Sequence, residues 1–198
     1  MKPLTLGIDF DNTIVCYDEA FHASALEKKL IPPSTMRSKN AVRNYLRNTG
    51  NEAAWTELQG YMYGARMELA SPYPGFDRFL SFCKSQDILV FIISHKTKHP
   101  FLGPAYDLHE AASSWLRAQN FSWTPPTFFE LTLQNKLHRI RKQECDVFID
   151  DLPELLKEPD FPSEVRKILF DPHRAHSVES AFESVSSWDK VPDLLTPL

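Results

Sequence analysis

Cysteine, glycine and any long apolar run are all scarce in this chain of 198 residues. The three cysteines, Cys16, Cys83 and Cys145, are far apart and form no CxxC pair, so neither a zinc site nor a disulfide framework is expected and reduced thiols are. No stretch approaches the roughly 20 apolar residues of a membrane-spanning helix. Asp9 interrupts the first apolar run too early for a signal-peptide core of about 7–15 residues, which leads to the expectation of a cytoplasmic protein without a membrane partner. Basic charge is also lacking: 22 Lys and Arg stand against 26 Asp and Glu, a net charge of −4, which argues against a dedicated nucleic-acid binder. Only six glycines accompany 15 prolines, and none follows Gly103. The second half must therefore turn on Asn, Asp, Ser and Pro.

What is present is an alternation of short apolar runs with helical periodicity. Leu4 to Phe10, Ile88 to Ile93, Val147 to Ile149 and Ile168 to Phe170 read as buried parallel strands, with Thr127 to Leu131 a weaker fifth. Between them Phe76, Phe79, Leu80 and Cys83 recur at helix spacing, as do Leu108, Ala111, Ala112, Trp115 and Leu116, then Leu133, Leu137 and Ile140. The pattern predicts an α/β protein with a parallel sheet of about five strands. One segment departs from it. From Cys16 to Ser71 there is only amphipathic helix, with faces marked by Phe21, Ala25, Leu26 and Leu30, by Val42, Tyr45 and Leu46, and by Trp55, Leu58, Tyr61, Met62 and Met67. Residues 16–71 are expected to form a small helical insert, and residues 1–15 with 72–198 the sheet-bearing core.

Polar residues follow three of the apolar runs directly. Asp9-Phe10-Asp11-Asn12-Thr13 ends the first, Ser94-His95-Lys96 the second, and Asp150-Asp151 the run at Val147. Open parallel sheets bind ligands at the carboxyl ends of their strands, so these groups are expected at one edge. Asp9, Asp11, Asp150 and Asp151 would repel one another unless a cation lies among them, and an all-oxygen donor set suits Mg²⁺. Each motif alone has an ordinary explanation as a turn, a helix cap or a helix N-terminus. Their joint occurrence after successive strands does not.

This constellation resembles the haloacid dehalogenase superfamily, of the phosphatase type with a helical cap inserted after the first motif. Asp9, Asp11 and Thr13 match the Asp-x-Asp-x-Thr of the first motif, Ser94 the hydroxyl of the second, and Asp150 and Asp151 the paired acids of the fourth. The third motif is a lysine on the helix before the fourth-motif strand, best met by Lys136, with Lys96 and Lys142 as alternatives. Asn12 stands where the family commonly has Gly, and Asn is the residue after Gly that best accepts left-handed backbone. The resemblance implies a three-layer Rossmann-like core with a helical cap. It also implies Mg²⁺-dependent hydrolysis of a small phosphorylated metabolite through an aspartyl-phosphate. Asp9 would be the nucleophile and Asp11 the acid and base. Ser94, Lys136, Asn12 and His95 would hold phosphate, and Asp9, Asp11, Asp150 and Asp151 the metal, Asp11 through its main-chain carbonyl. A phosphotransferase or phosphomutase would use the same residues, and a non-catalytic member would only bind phosphorylated ligands. His95, Lys96, Lys98 and His99 either meet an anionic substrate or form a solvated loop. Asp171-Pro172-His173-Arg174 and His176 follow the last strand run at the same expected edge.

Overall fold

A computed structural model describes residues 2–177 and 181–195. Six strands form one parallel sheet: β1 (Thr5–Ile8), β4 (Leu89–His95), β5 (Thr127–Glu130), β6 (Val147–Asp150), β7 (Arg166–Phe170) and β8 (Glu183–Val185), in the order β5-β4-β1-β6-β7-β8. The expected five strands are present. The sixth, β8, is three residues of mixed polarity, held by its register on β7 and by Glu183, which accepts from the Arg166 guanidinium at 2.8 Å. Two further strands of two residues each, β2 (Val15–Cys16) and β3 (Ser71–Pro72), pair with each other where the chain leaves the sheet region and returns.

The chain divides into two compact units. The sheet unit comprises Met1–Ile14, Pro72–His95 and Phe121–Leu198. Its helices are α4 (Phe76–Ser85), α6 (Leu133–Lys142) and two short ones, α7 (Pro153–Leu156) and α8 (Val191–Leu195). Ile93, Leu137, Ile140, Phe148, Leu156 and Leu169 are each fully buried in one apolar cluster of this unit. A second group stacks aromatic rings: Trp188 has centroid distances of 4.9 Å to Phe76, 4.9 Å to Phe79 and 5.0 Å to Phe170. Gly7 in the central strand gives Phe148 its place, since a Cβ there would lie 2.5 Å from Phe148 Cδ2 and 3.0 Å from Cys145 Sγ.

The helical unit comprises Val15–Ser71 and Lys96–Asn120. It contains α1 (Asp18–Glu27), α2 (Lys39–Asn48) and α3 (Glu52–Ala65), as the periodicity of residues 16–71 predicts. It also contains α5 (Leu108–Ala118), which follows β4 in the chain. The reason lies in its packing. Trp115 is buried and its indole N–H donates to the Ala70 carbonyl at 2.9 Å, while the loop before α5 lies against α3. Helical periodicity marks which face of α5 is buried but not which partner buries it. Among the described residues no helix is long and apolar enough to cross a membrane.

Candidate active site

The sheet order reverses at β1: the chain runs from β1 to β4 and β5 on one side, then to β6, β7 and β8 on the other. Such a switch point is where parallel sheets open a crevice. Ile8 is the register partner of Ile149, so Asp9 and Asp150, each one residue further on, emerge side by side. The Asp9 N–H also donates to the Ile149 carbonyl at 2.9 Å, which ties the two strand ends together. Ile8 is likewise the partner of Ile92, and Ser94 lies two residues beyond it on β4, with 1% of its surface exposed.

Asp9, Asp150 and Asp151 bring one carboxylate oxygen each within 4.8 Å of one another, and the first two are buried. Lys136 enters from α6. The Thr132 hydroxyl caps that helix by accepting from the Asn135 N–H at 3.1 Å, which starts it one turn before the lysine. Lys136 then shares the buried face with Leu137 and Ile140. Its ammonium donates to Asp9 Oδ1 and to Asp150 Oδ2, both at 2.6 Å. The other oxygen of Asp150 accepts from the Leu152 N–H at 2.9 Å, bending the chain from β6 towards α7. The Thr13 hydroxyl lies 3.5 Å from Asp9 Oδ2 and 3.4 Å from Asp151 Oδ1, and can donate to one at a time.

Burial and charge compete here. Burial pushes the Asp150 carboxyl up to about 6; the Lys136 ammonium pulls it down, and the Asp9 carboxylate adds to the rise. For Lys136 burial works against the charge, but Asp150 and Asp9 together outweigh it and hold its pKa above the ordinary lysine range. Lys136 is therefore a permanent cation among three acids. Three carboxylates and one ammonium leave two negative charges, the charge of one divalent cation, and every remaining donor is oxygen. The set fits Mg²⁺.

Not every residue expected at this edge joins the cluster. Among the described residues the carboxylate group that could hold a metal is Asp9, Asp150 and Asp151, three acids rather than the four expected to converge. The chain turns immediately after Asp11, where Asn12 takes φ of 60°, the left-handed conformation its side chain tolerates. Asp11 and Asn12 are half-buried in this turn. His95 is exposed at the end of β4, Lys142 is exposed at the end of α6, and Lys96 belongs to the helical unit. Much of the basic stretch braces its own loop. Lys98 lies 3.7 Å from Asp107, and the His99 ring shares a hydrogen bond with the Tyr106 carbonyl at 3.0 Å. Asp171 likewise folds its own segment, accepting from the N–H groups of Ala175 and His176, both at 2.9 Å, while His173, Arg174 and His176 are exposed. The sequence reading missed Trp188. It is fully buried, and its indole donates to the Thr13 carbonyl at 3.2 Å, steadying the end of the Asp9–Thr13 turn. A tryptophan in a tail without helical periodicity offered no signal for that role.

No family model matches the sequence, and no curated protein is significantly similar to it. Solved structures do match it over nearly full length. A predicted phosphatase from Clostridium acetobutylicum is 15% identical with a TM-score of 0.63, covering 98% of this chain and 99% of that one. A predicted phosphoglycolate phosphatase from Haemophilus somnus is 9% identical with a TM-score of 0.62, covering 99% of both. The HAD-hydrolase YfnB from Bacillus subtilis, solved with magnesium bound, is 14% identical with a TM-score of 0.60 and full coverage of both chains. At these identities the likeness is one of fold: with its parallel sheet and the acidic cluster at the switch point, the chain has the haloacid-dehalogenase-like fold.

Proposed function

We propose that the protein is a Mg²⁺-dependent phosphohydrolase that cleaves a small phosphorylated metabolite through an aspartyl-phosphate on Asp9. The observation that carries this reading is the buried contact of Lys136 with both Asp9 and Asp150, beside Asp151. It supports the reading because a fixed cation and three acids that would hold a divalent ion meet at one carboxylate, the arrangement phosphoryl transfer needs. In this reading an Asp9 carboxylate oxygen attacks phosphorus and the ester P–O bond breaks. Asp11 gives its proton to the departing oxygen. Asp11 then takes a proton from water as that water attacks the phosphoryl group, releasing inorganic phosphate and restoring Asp9. Lys136 and the Ser94 hydroxyl offset charge on the phosphoryl oxygens, with Asn12 and His95 as further phosphate contacts. Asp9, Asp150, Asp151 and the Asp11 carbonyl would hold Mg²⁺, which when bound supplies positive charge against the transferring group.

The helical unit is assigned the role of a cap that excludes large partners and selects among small substrates. The interdomain movement described for the magnesium-bound YfnB supports giving this unit a moving part. The test is release of inorganic phosphate from a panel of phosphorylated metabolites, with metal stripped by chelation and Mg²⁺ then restored. Activity that needs Mg²⁺ and vanishes in Asp9→Asn is the expected result. Full turnover in excess chelator, or in Asp9→Asn, would refute the reading.

A further inference from the structure

Thr13 is engaged at both of its polar ends. It is fully buried, with its hydroxyl 3.5 Å from Asp9 Oδ2 and 3.4 Å from Asp151 Oδ1, and its carbonyl accepts from the Trp188 indole at 3.2 Å. All four residues belong to the sheet unit. Trp188 comes 175 residues after Thr13, in the segment that follows β8. A buried indole needs an acceptor wherever it sits, so the bond alone is ordinary packing. What gives it weight is how firmly each partner is held and how short the path is from the indole to the acids.

On the donor side, the Trp188 ring is wedged among Phe76, Phe79 and Phe170. The next residue, Asp189, accepts from Arg78 of α4: Nη2 donates to both of its oxygens at 2.9 Å, and Nε to Oδ1 at 3.1 Å. Gly75, with φ of 92°, leaves room for that carboxylate, since a Cβ there would lie 2.9 Å from Asp189 Oδ1. On the acceptor side, the Ile14 N–H donates to the Phe10 carbonyl at 3.1 Å, and the Tyr73 N–H to the Ile14 carbonyl at 2.8 Å. The backbone on either side of the Thr13 carbonyl is thus tied down. A β-branched side chain is stiff at χ1, so the Thr13 hydroxyl moves only as its backbone moves.

We propose that Trp188 is a positioning residue of the candidate site: through the Thr13 carbonyl it sets where the Thr13 hydroxyl stands between Asp9 and Asp151, and so how tightly these acids take a divalent cation. The cation is the Mg²⁺ of the phosphohydrolase reading above, on which this inference rests; the link from Trp188 to the two acids is tested without turnover. Trp188→Phe keeps a ring in the stack and removes the donor. Calorimetry should find its Mg²⁺ affinity about tenfold weaker, the low end of what partners that orient metal ligands are worth. Phe79→Leu thins the same stack and leaves the donor, so it should lower Tm without weakening Mg²⁺ binding. On any ester turned over, the kcat of Trp188→Phe should fall at low Mg²⁺ and recover at saturating Mg²⁺, with KM for the ester unchanged. Unchanged Mg²⁺ affinity in Trp188→Phe, or an equal loss in Phe79→Leu, would overturn the proposal. Should Trp188→Phe fail to fold, NMR of the wild type decides. Mg²⁺ should shift the Trp188 indole N–H resonance and leave that of Trp123, whose indole donates to the Leu80 carbonyl at 3.1 Å. No shift at Trp188, or equal shifts at both, would overturn it. If Mg²⁺ binds but no ester is turned over, the hydrolase reading falls and calorimetry still judges Trp188. If the wild type binds no Mg²⁺, the metal falls too, and urea midpoints of metal-free protein judge it. Losses from Thr13→Val and Trp188→Phe that combine to less than their sum would uphold the link, and strict additivity would overturn it.

Discussion

Lys136 is the side chain on which the candidate site balances. Removing one partner of a buried ion pair leaves an uncompensated charge and costs about 3–5 kcal/mol. Lys136→Met, similar in length, is therefore expected to lower stability by about that amount in metal-free protein, measured by urea unfolding, because Asp9 and Asp150 then face each other unshielded. A loss below 1 kcal/mol would mean the acids are less buried than the structure has them. On the proposed reading, Asp11→Asn would remove acid and base help worth about 10²–10⁴-fold, and should slow esters of poor leaving groups more than those of good ones. Equal slowing would make Asp11 structural. Asp150 gives a pH signature. Its pKa rises from 3.8 in the unfolded chain to about 6 in the folded one. The stability it contributes is thus complete below 3.8 and is lost as pH rises through about 6. Metal-free protein loses this term near neutrality, where a divalent ion held by the three acids would restore balance. Mg²⁺ should therefore raise Tm more at pH 7.5 than at pH 5, read by thermal scans with and without chelator. An equal rise at both values would contradict the assignment of Asp150 as a ligand.

At the scale of elements, the sheet was legible because its strands are apolar nearly throughout, β1 and β6 being buried at every position. Runs such as Leu-Val-Phe-Ile-Ile need no alternation to be recognised, and each is followed by the polar residues that mark its carboxyl end. Lys136 was legible only through the resemblance, as the lysine on the helix before the fourth-motif strand with Lys96 and Lys142 as alternatives, and the structure buries it beside Leu137 and Ile140. Strand β8 was not, because Glu-Ser-Val has no apolar run and owes its place to β7 beside it. The central strand also makes a testable demand. Gly7→Ala puts a methyl group 2.5 Å from the Phe148 ring, and overpacking of this kind costs about 1–3 kcal/mol. Phe148→Leu should recover part of that loss in the double variant, although alone it leaves a void. Strict additivity of the two changes in urea unfolding would show that the ring does not press on Gly7. The buried thiols give an independent reading of the same core. Burial pushes Cys83 and Cys145 up to about 12, so they stay protonated at pH 8.5, while Cys16 is half-buried. Iodoacetamide should modify Cys83 and Cys145 only as fast as the sheet unit opens.

For the molecule as a whole, the decisive fact is that the chain contributes two separate segments to the helical unit, so it crosses between units four times. The sequence showed the first segment as a gap in the strand–helix alternation. It hid the second, because α5 follows β4 just where a sheet crossover helix belongs and has the right periodicity for one. Its buried face, Leu108, Ala112, Trp115 and Leu116, is apolar and belongs to a unit built with α3. This sets how the helical unit can be removed. Deleting residues 18–70 alone strips α3 from the loop that Gly60 and Gly64 receive, and takes away Ala70, whose carbonyl accepts from Trp115. That variant should expose the apolar face of α5, bind a hydrophobic dye and aggregate. Replacing both 18–70 and 97–119 with short linkers should leave a sheet unit that keeps its parallel order and its Asp9, Asp150 and Lys136 cluster. Mg²⁺ should still raise the Tm of this double deletion, and calorimetry should still detect the ion. If the single deletion proved as soluble and dye-free as the double, α5 would have its true partner in the sheet, and the segment 97–119 would be a crossover helix after all.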